Sequence, residues 1–114
     1  MGKRSYKVVI ESEGFALIGN GVERVYVPWL AVREITAYKL DLITTDEVRL
    51  RLGLDILPFT IEVSEEMEGF EDFKTTAEIY FKFSEEWWSQ VLLPPFATNE
   101  CVLFQRGGEL ENAS

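Results

Sequence analysis

The chain has 114 residues, 46% of them hydrophobic and 13% aromatic, with 11 basic against 20 acidic side chains and a net charge of −9. That length fits one domain, and the aromatic content supports a packed core rather than a disordered chain. The acidic balance argues against nucleic acid and against anionic lipid head groups, because most of the surface would repel them.

Residues 1–106 are expected to form one compact domain, and residues 107–114, small and polar, a disordered tail. The single cysteine, Cys101, has no partner for an internal disulfide. The N-terminus lacks the three regions of a signal peptide, and no apolar run approaches the ~20 residues that span a membrane. These features point to a cytoplasmic protein of bacterial type with no membrane association.

Taken in order, Tyr6–Glu11 alternates and Phe15–Ile18 follows the turn Ser12-Glu13-Gly14, which reads as a hairpin. Gly19-Asn20-Gly21 is a second turn, since Asn and Gly tolerate positive φ. Glu23–Val27 is strand-like up to Pro28, which lacks a backbone donor and marks an edge, bulge or break. Trp29–Arg33 fits either one helical turn or a bulged segment.

Val25–Leu52 reads as a long central hairpin turning at Thr44-Thr45-Asp46. Its first arm groups Thr36, Tyr38, Leu40 and Leu42 on one face. Its second arm alternates Val48, Leu50 and Leu52 with Glu47, Arg49 and Arg51, which predicts one buried and one wet face. The charged set is expected to pair across strands.

After a loop at Gly53–Pro58, Phe59–Val63 is the next strand, with Phe59, Ile61 and Val63 inward. Ser64 can cap a helical turn, and the acids after it complement the positive end. Phe70, Phe73, Ala77 and Tyr80 then recur at spacings of three and four, which predicts a helix over 71–81. Ser84-Glu85-Glu86 opens a short helix over 85–92 that Pro94-Pro95 ends. An Asn99-Glu100 turn leads to a last strand, Cys101–Gln105.

Candidate functional residues are few. Asp41 and Asp46 flank the central turn, while Glu62, Glu65, Glu66 and Glu68 cluster after the fifth strand. Two of these carboxylates could do acid–base chemistry if burial pushed their pKa values apart. Turn and cap roles explain them better. A chain without histidine and with one cysteine offers no zinc set, the spacing of a calcium loop is missing, and Cys101 has no base to activate it. No cofactor is implied.

Trp87 and Trp88, with Phe96, form the most prominent apolar candidate. Neighbouring helical side chains diverge by about 100°, so two tryptophans do not readily face one core. Either one ring is left for a partner, or, as favoured here, Pro94-Pro95-Phe96 folds back over it.

The stretch from Val27-Pro28-Trp29 through Val32, Ile35 and the hairpin resembles pleckstrin-homology-like domains of the bacterial and GRAM type. With Tyr38-Lys39-x-Asp41, Thr44, Asp46, Glu65-Glu66-Met67, Gly69-Phe70, Pro95-Phe96 and Asn99, the chain from about Val25 to Arg106 is similar to a group of short bacterial proteins of unknown function. The first resemblance implies a curved antiparallel sheet or partial barrel capped by a helix. The chain departs from it by a strand after the helices. It also lacks the basic lipid-binding loop, since Lys3, Arg4 and Lys7 form its only basic cluster, so phosphoinositide binding is not carried over.

The expected fold is therefore α+β: an antiparallel curved sheet or partial barrel of five to seven strands, one main C-terminal helix and a short second one. The expected function is that of a non-catalytic protein-interaction domain, binding a protein partner or itself as a homodimer. Its candidate surface is Trp87, Trp88, Phe96, Asp41, Asp46, Glu65 and Glu66. Alternatives are an immunity-type antagonist of a basic toxin, and, less favoured, a hydrolase or metal enzyme using the acidic residues.

Overall fold

The computed structural model describes residues 6–19, 23–41, 45–55, 60–93 and 99–106, without the side chains of residues 23, 41 and 99. The expected tail at 107–114, the turn at Asn20-Gly21, Phe59 and the Pro94-Pro95-Phe96 segment lie outside the described residues.

The fold is α+β: among the described residues, seven strands form two antiparallel sheets that do not close into a barrel. The first sheet is β1 (Tyr6–Glu11), β2 (Gly14–Gly19) and β3 (Glu23–Pro28), in that order. Its first turn places Glu13 in the left-handed region, at φ 66°. The second sheet holds β4 (Val32–Asp41), β5 (Asp46–Leu54), β6 (Thr60–Ser64) and β7 (Asn99–Gln105), in the order β6-β5-β4-β7. Two helices, α1 (Phe70–Phe81) and α2 (Trp87–Leu92), lie between β6 and β7 in the chain.

The central hairpin is shorter than the sequence suggests. Val25–Pro28 belongs to the first sheet, and the chain crosses to the second at Trp29. Both readings of Trp29–Arg33 apply. Trp29–Ala31 is a single 3-10 turn, and β4 then begins with a bulge between Val32 and Glu34. Pro28 suits this corner, where the strand ends and its missing N–H is no loss. Asn99-Glu100 is not a turn but the start of β7, paired with Lys39 and Tyr38. The strand after the helices thus enters the second sheet beside β4.

The core is lined by Val8, Phe15 and Val27 of the first sheet and by Ile35, Ala37, Val48, Leu50, Leu52, Ile61 and Val63 of the second. From α1 it receives Phe70, Phe73 and Ala77, as the helical spacing predicts, but the fourth position is Phe81, while Tyr80, expected in the stripe, is exposed and stacks on Trp29 at the margin. Aromatic rings join these layers. Phe15 meets Trp29 at 5.1 Å and Phe73 at 4.9 Å, and Phe81 meets Phe104 of β7 at 4.5 Å. Tilted and edge contacts of this kind suit the ring quadrupoles.

Beside the Phe15–Phe73 contact, a backbone hydrogen bond ties the first sheet to the residues just before α1. The Val8 N–H donates to the Glu68 carbonyl at 3.0 Å, and Gly69, at φ 89°, then starts the helix. A β-carbon on Gly69 would collide with the Val8 carbonyl oxygen. Gly69→Ala is therefore expected to destabilise the fold by at least about 2 kcal/mol, combining the left-handed penalty with that collision. Urea denaturation checks this, and a loss below about 0.5 kcal/mol would contradict the geometry.

Candidate functional site

The residues nominated by the sequence do not assemble into one site. Asp41 and Asp46 pair across the end of the central hairpin, but the Asp41 side chain lies outside the described residues. Asp46 Oδ2 lies 3.5 Å from the Lys39 ammonium. Lys39 is fully buried. It shares the inner face of β4 with Ile35 and Ala37, opposite Val48, and donates to the Leu92 carbonyl at 2.5 Å. The cation therefore meets the carbonyl end of α2, where a helix carries partial negative charge.

Glu65 completes a strand. The β5–β6 pairing ends at Arg49 and Ser64, and the next residue continues it by other means. The Glu65 N–H donates to the Val48 carbonyl at 2.9 Å, while Glu65 Oε1 accepts from the Val48 N–H at 2.6 Å. The carboxylate thus takes the place of a backbone carbonyl. Beside it, the Ser64 hydroxyl donates to Glu47 and accepts from the Glu66 N–H at 3.0 Å, and Glu66 is exposed. Ser64 therefore ends the strand with a turn rather than capping a helix, and α1 starts at Phe70 without a side-chain cap. Glu65, Met67, Gly69, Phe70, Glu71 and Asp72 line an open depression of about 300 Å³. The acids Glu71 and Asp72 sit in the first turn of α1, where carboxylates are favoured.

Both tryptophans serve the interior. Trp87 is buried, its ring 5.6 Å from Phe83 and its indole N–H donating to Glu78 Oε2 at 2.8 Å. Trp88 is half-buried, 6.3 Å from Phe70 and with the Lys74 ammonium 5.3 Å from its ring. The 100° divergence is accommodated because the rings pack edge to face at 5.3 Å, one toward the core and one toward α1. Phe96, expected to cover one of them, lies outside the described residues. Trp87 therefore presents no surface to a partner.

What the structure brings together instead is the outer face of the four-stranded sheet. The registers place Ser64, Arg49, Tyr38 and Glu100 in one row across the strands, and Glu62, Arg51, Thr36 and Val102 in the next. Thr36, Tyr38 and Leu40 do share a face, and it is this one; the dry face carries Ile35, Ala37 and Lys39. Arg49 donates to Glu47 Oε2 at 3.0 Å and to Glu62 Oε1 at 3.3 Å. Arg51 donates to Glu100 Oε2 at 2.8 Å, reaching over β4, with its guanidinium 5.2 Å from the Tyr38 ring centre.

Burial pushes the Tyr38 phenol above its ordinary value, and a hydrogen bond with Glu62 adds to this. The hydrogen bond to Glu47 raises Arg49, and that to Glu100 raises Arg51, so both stay charged. The period-two pattern of β5 marks Glu47, Arg49 and Arg51 as wet; Arg49 and Arg51 are partly exposed, but Glu47 is buried, covered by the Ser64 hydroxyl and the Arg49 guanidinium. Tyr38 joins them through the hairpin register, whereas the contribution of Glu100 depends on β7 lying beside β4, which no local pattern shows.

Among the described residues no group of three or more His, Cys, Asp or Glu side chains could hold a metal ion. No described helix is long and apolar enough to cross a membrane. No protein family, curated protein or solved structure matches the chain.

Two variants test these structural roles. Glu65→Ala leaves the buried Val48 N–H unpaired, for an expected loss of about 1–3 kcal/mol, while Glu65→Gln keeps an acceptor and loses less. Equal losses in denaturant titrations would contradict the strand-completing role. Lys39→Met removes the ammonium that faces Asp46 and the Leu92 carbonyl and should cost about 3 kcal/mol or more, with part of the loss recovered in Lys39→Met/Asp46→Leu. A double variant less stable than the single one would contradict this pairing.

Proposed function

We propose that this chain is a non-catalytic protein-interaction module that binds through the outer face of its four-stranded sheet. The observation that carries the reading is the ordered Tyr38–Arg49–Arg51 cluster facing solvent, with Val102 60% exposed at its margin. Aromatic and arginine side chains are the types most often decisive in protein interfaces. The use of Glu65 and Asp46 in the framework also supports a binding role over acid–base chemistry, because their lone pairs are engaged by a backbone N–H and an ammonium. The pleckstrin-homology-like resemblance belongs to this reading. Two antiparallel sheets followed by a helix support it, and β7 departs from it.

A second reading, the antagonist of a basic toxin, is favoured by the exposed acids Glu66, Glu68, Glu71, Asp72, Glu85 and Glu86 and by the net charge of −9. The two readings use different surfaces. In affinity capture from an extract of the source cell, Tyr38→Ala/Arg51→Ala bait should lose the stoichiometric partner that unaltered bait retains. Capture unaffected by this variant, but abolished by Glu66→Gln/Glu68→Gln/Glu71→Gln/Asp72→Asn and by salt, would replace the first reading with the second.

A further inference from the structure

The outer sheet face has a charge pattern that fits itself in one orientation. Its two basic side chains, Arg49 and Arg51, are both in β5, a central strand. The acids Glu62 and Glu100 are on β6 and β7, the two edges; on the central strands Glu47 is buried against Ser64 and Arg49, and Glu34 lies beside Gly53 toward the other end of the hairpin. A sheet laid face to face on a copy of itself can be related by a twofold axis across the strands or along them. An axis across the strands sets β5 on β5, arginine against arginine. An axis along the strands, midway between β5 and β4, sets β5 on β4 and β6 on β7 of the other copy.

In that second arrangement the rows fall together. Arg49 opposes Tyr38, Arg51 opposes Thr36, Ser64 opposes Glu100 and Glu62 opposes Val102, each pair occurring twice by symmetry. Guanidinium meets an aromatic ring, and no carboxylate lies over another. The exposed Glu66, Glu68, Glu71, Asp72, Glu85 and Glu86 would set like charges against each other around the start of α1 and before α2, in a molecule of net charge −9, while the exposed Leu30, Ile79 and Tyr80 carry no charge to set an orientation. We infer that a second copy of this chain covers the open face of the β6-β5-β4-β7 sheet across this axis, with β5 over β4.

The inference rests on the interaction-module reading and adds the occupant and its orientation. Aligned sheet packing accommodates it, with strands of the two copies crossing at roughly −30°. The side chains are already fixed by their ion pairs, which lowers the entropy lost on docking. The face is small, four strands at about 4.8 Å spacing by roughly six residues at about 3.3 Å each. At under about 400 Å² per copy it is smaller than a stable specific interface, so the dimer should be weak and transient, dissociating at about 0.1 mM or above and weakening with salt.

Sedimentation equilibrium of the unaltered chain up to about 1 mM, in about 50 and about 500 mM NaCl, reads this directly. The expected mass at low salt rises toward twice the 13.1 kDa of one chain, and salt shifts it back. Val102 decides the orientation, because it is exposed and faces Glu62 of the second copy. Val102→Glu should weaken the dimer at least about tenfold, and Val102→Lys should strengthen it several-fold. A 13.1 kDa species at the highest concentration in low salt overturns the inference, as does a dimer on which the two Val102 variants act alike. In either case a different protein whose capture Tyr38→Ala/Arg51→Ala abolishes would leave the interaction-module reading standing without the second copy.

Discussion

In the β4–β5 hairpin the inward side chains are dry along nearly its whole length. Ile35, Ala37 and Lys39 face Leu52, Leu50 and Val48 across the ladder, and all six are fully buried. Because the pleat has a period of two, committing that face to the core turns every intervening residue outward. A one-residue slip would bring Arg49, Arg51 and Glu47 into the core and expel Val48, Leu50 and Leu52. The register of one hairpin thus sets both the buried layer and the displayed one.

Lys39 is the exception that extends this constraint to the helices. A fully buried ammonium requires acceptors, and it finds Asp46 at the hairpin end and the last carbonyl of α2. Such a pair contributes little net stability compared with an apolar residue, but it favours one arrangement. Here it holds the end of α2 against the inner face, and with it Val91, which is fully buried, and Trp87. The chain then returns as β7 on the free side of β4. Glu100 and Val102 reach the outer face only because of that return.

The sequence made the strand and helix periods legible, since those depend on neighbours in the chain. The stripe Phe70, Phe73, Ala77 lies where spacing places it, and Val48, Leu50 and Leu52 are the dry side of β5. What could not be read depends on contacts between distant segments. A lysine among alternating strand residues looks wet unless α2 is known to lie above it. Glu65 looks like a member of an acidic cap, and its role appears only when Val48 is found 17 residues away with its N–H pointing at the carboxylate. The local spacing of the tryptophan pair shows only that the rings diverge; it does not show α1, which supplies Glu78, Lys74 and Phe70 to receive both rings.

The hairpin hides one face in the core, and the other is the face proposed to bind. The most direct measurement is a dilution series followed residue by residue in amide NMR spectra. The account predicts concentration-dependent shifts at Thr36, Tyr38, Arg49, Arg51 and Val102, with the exposed residues Ile79 and Tyr80 of α1 unchanged. Shifts confined to α1, or to Leu30 beside Trp29, would place the contact on another surface and contradict the account.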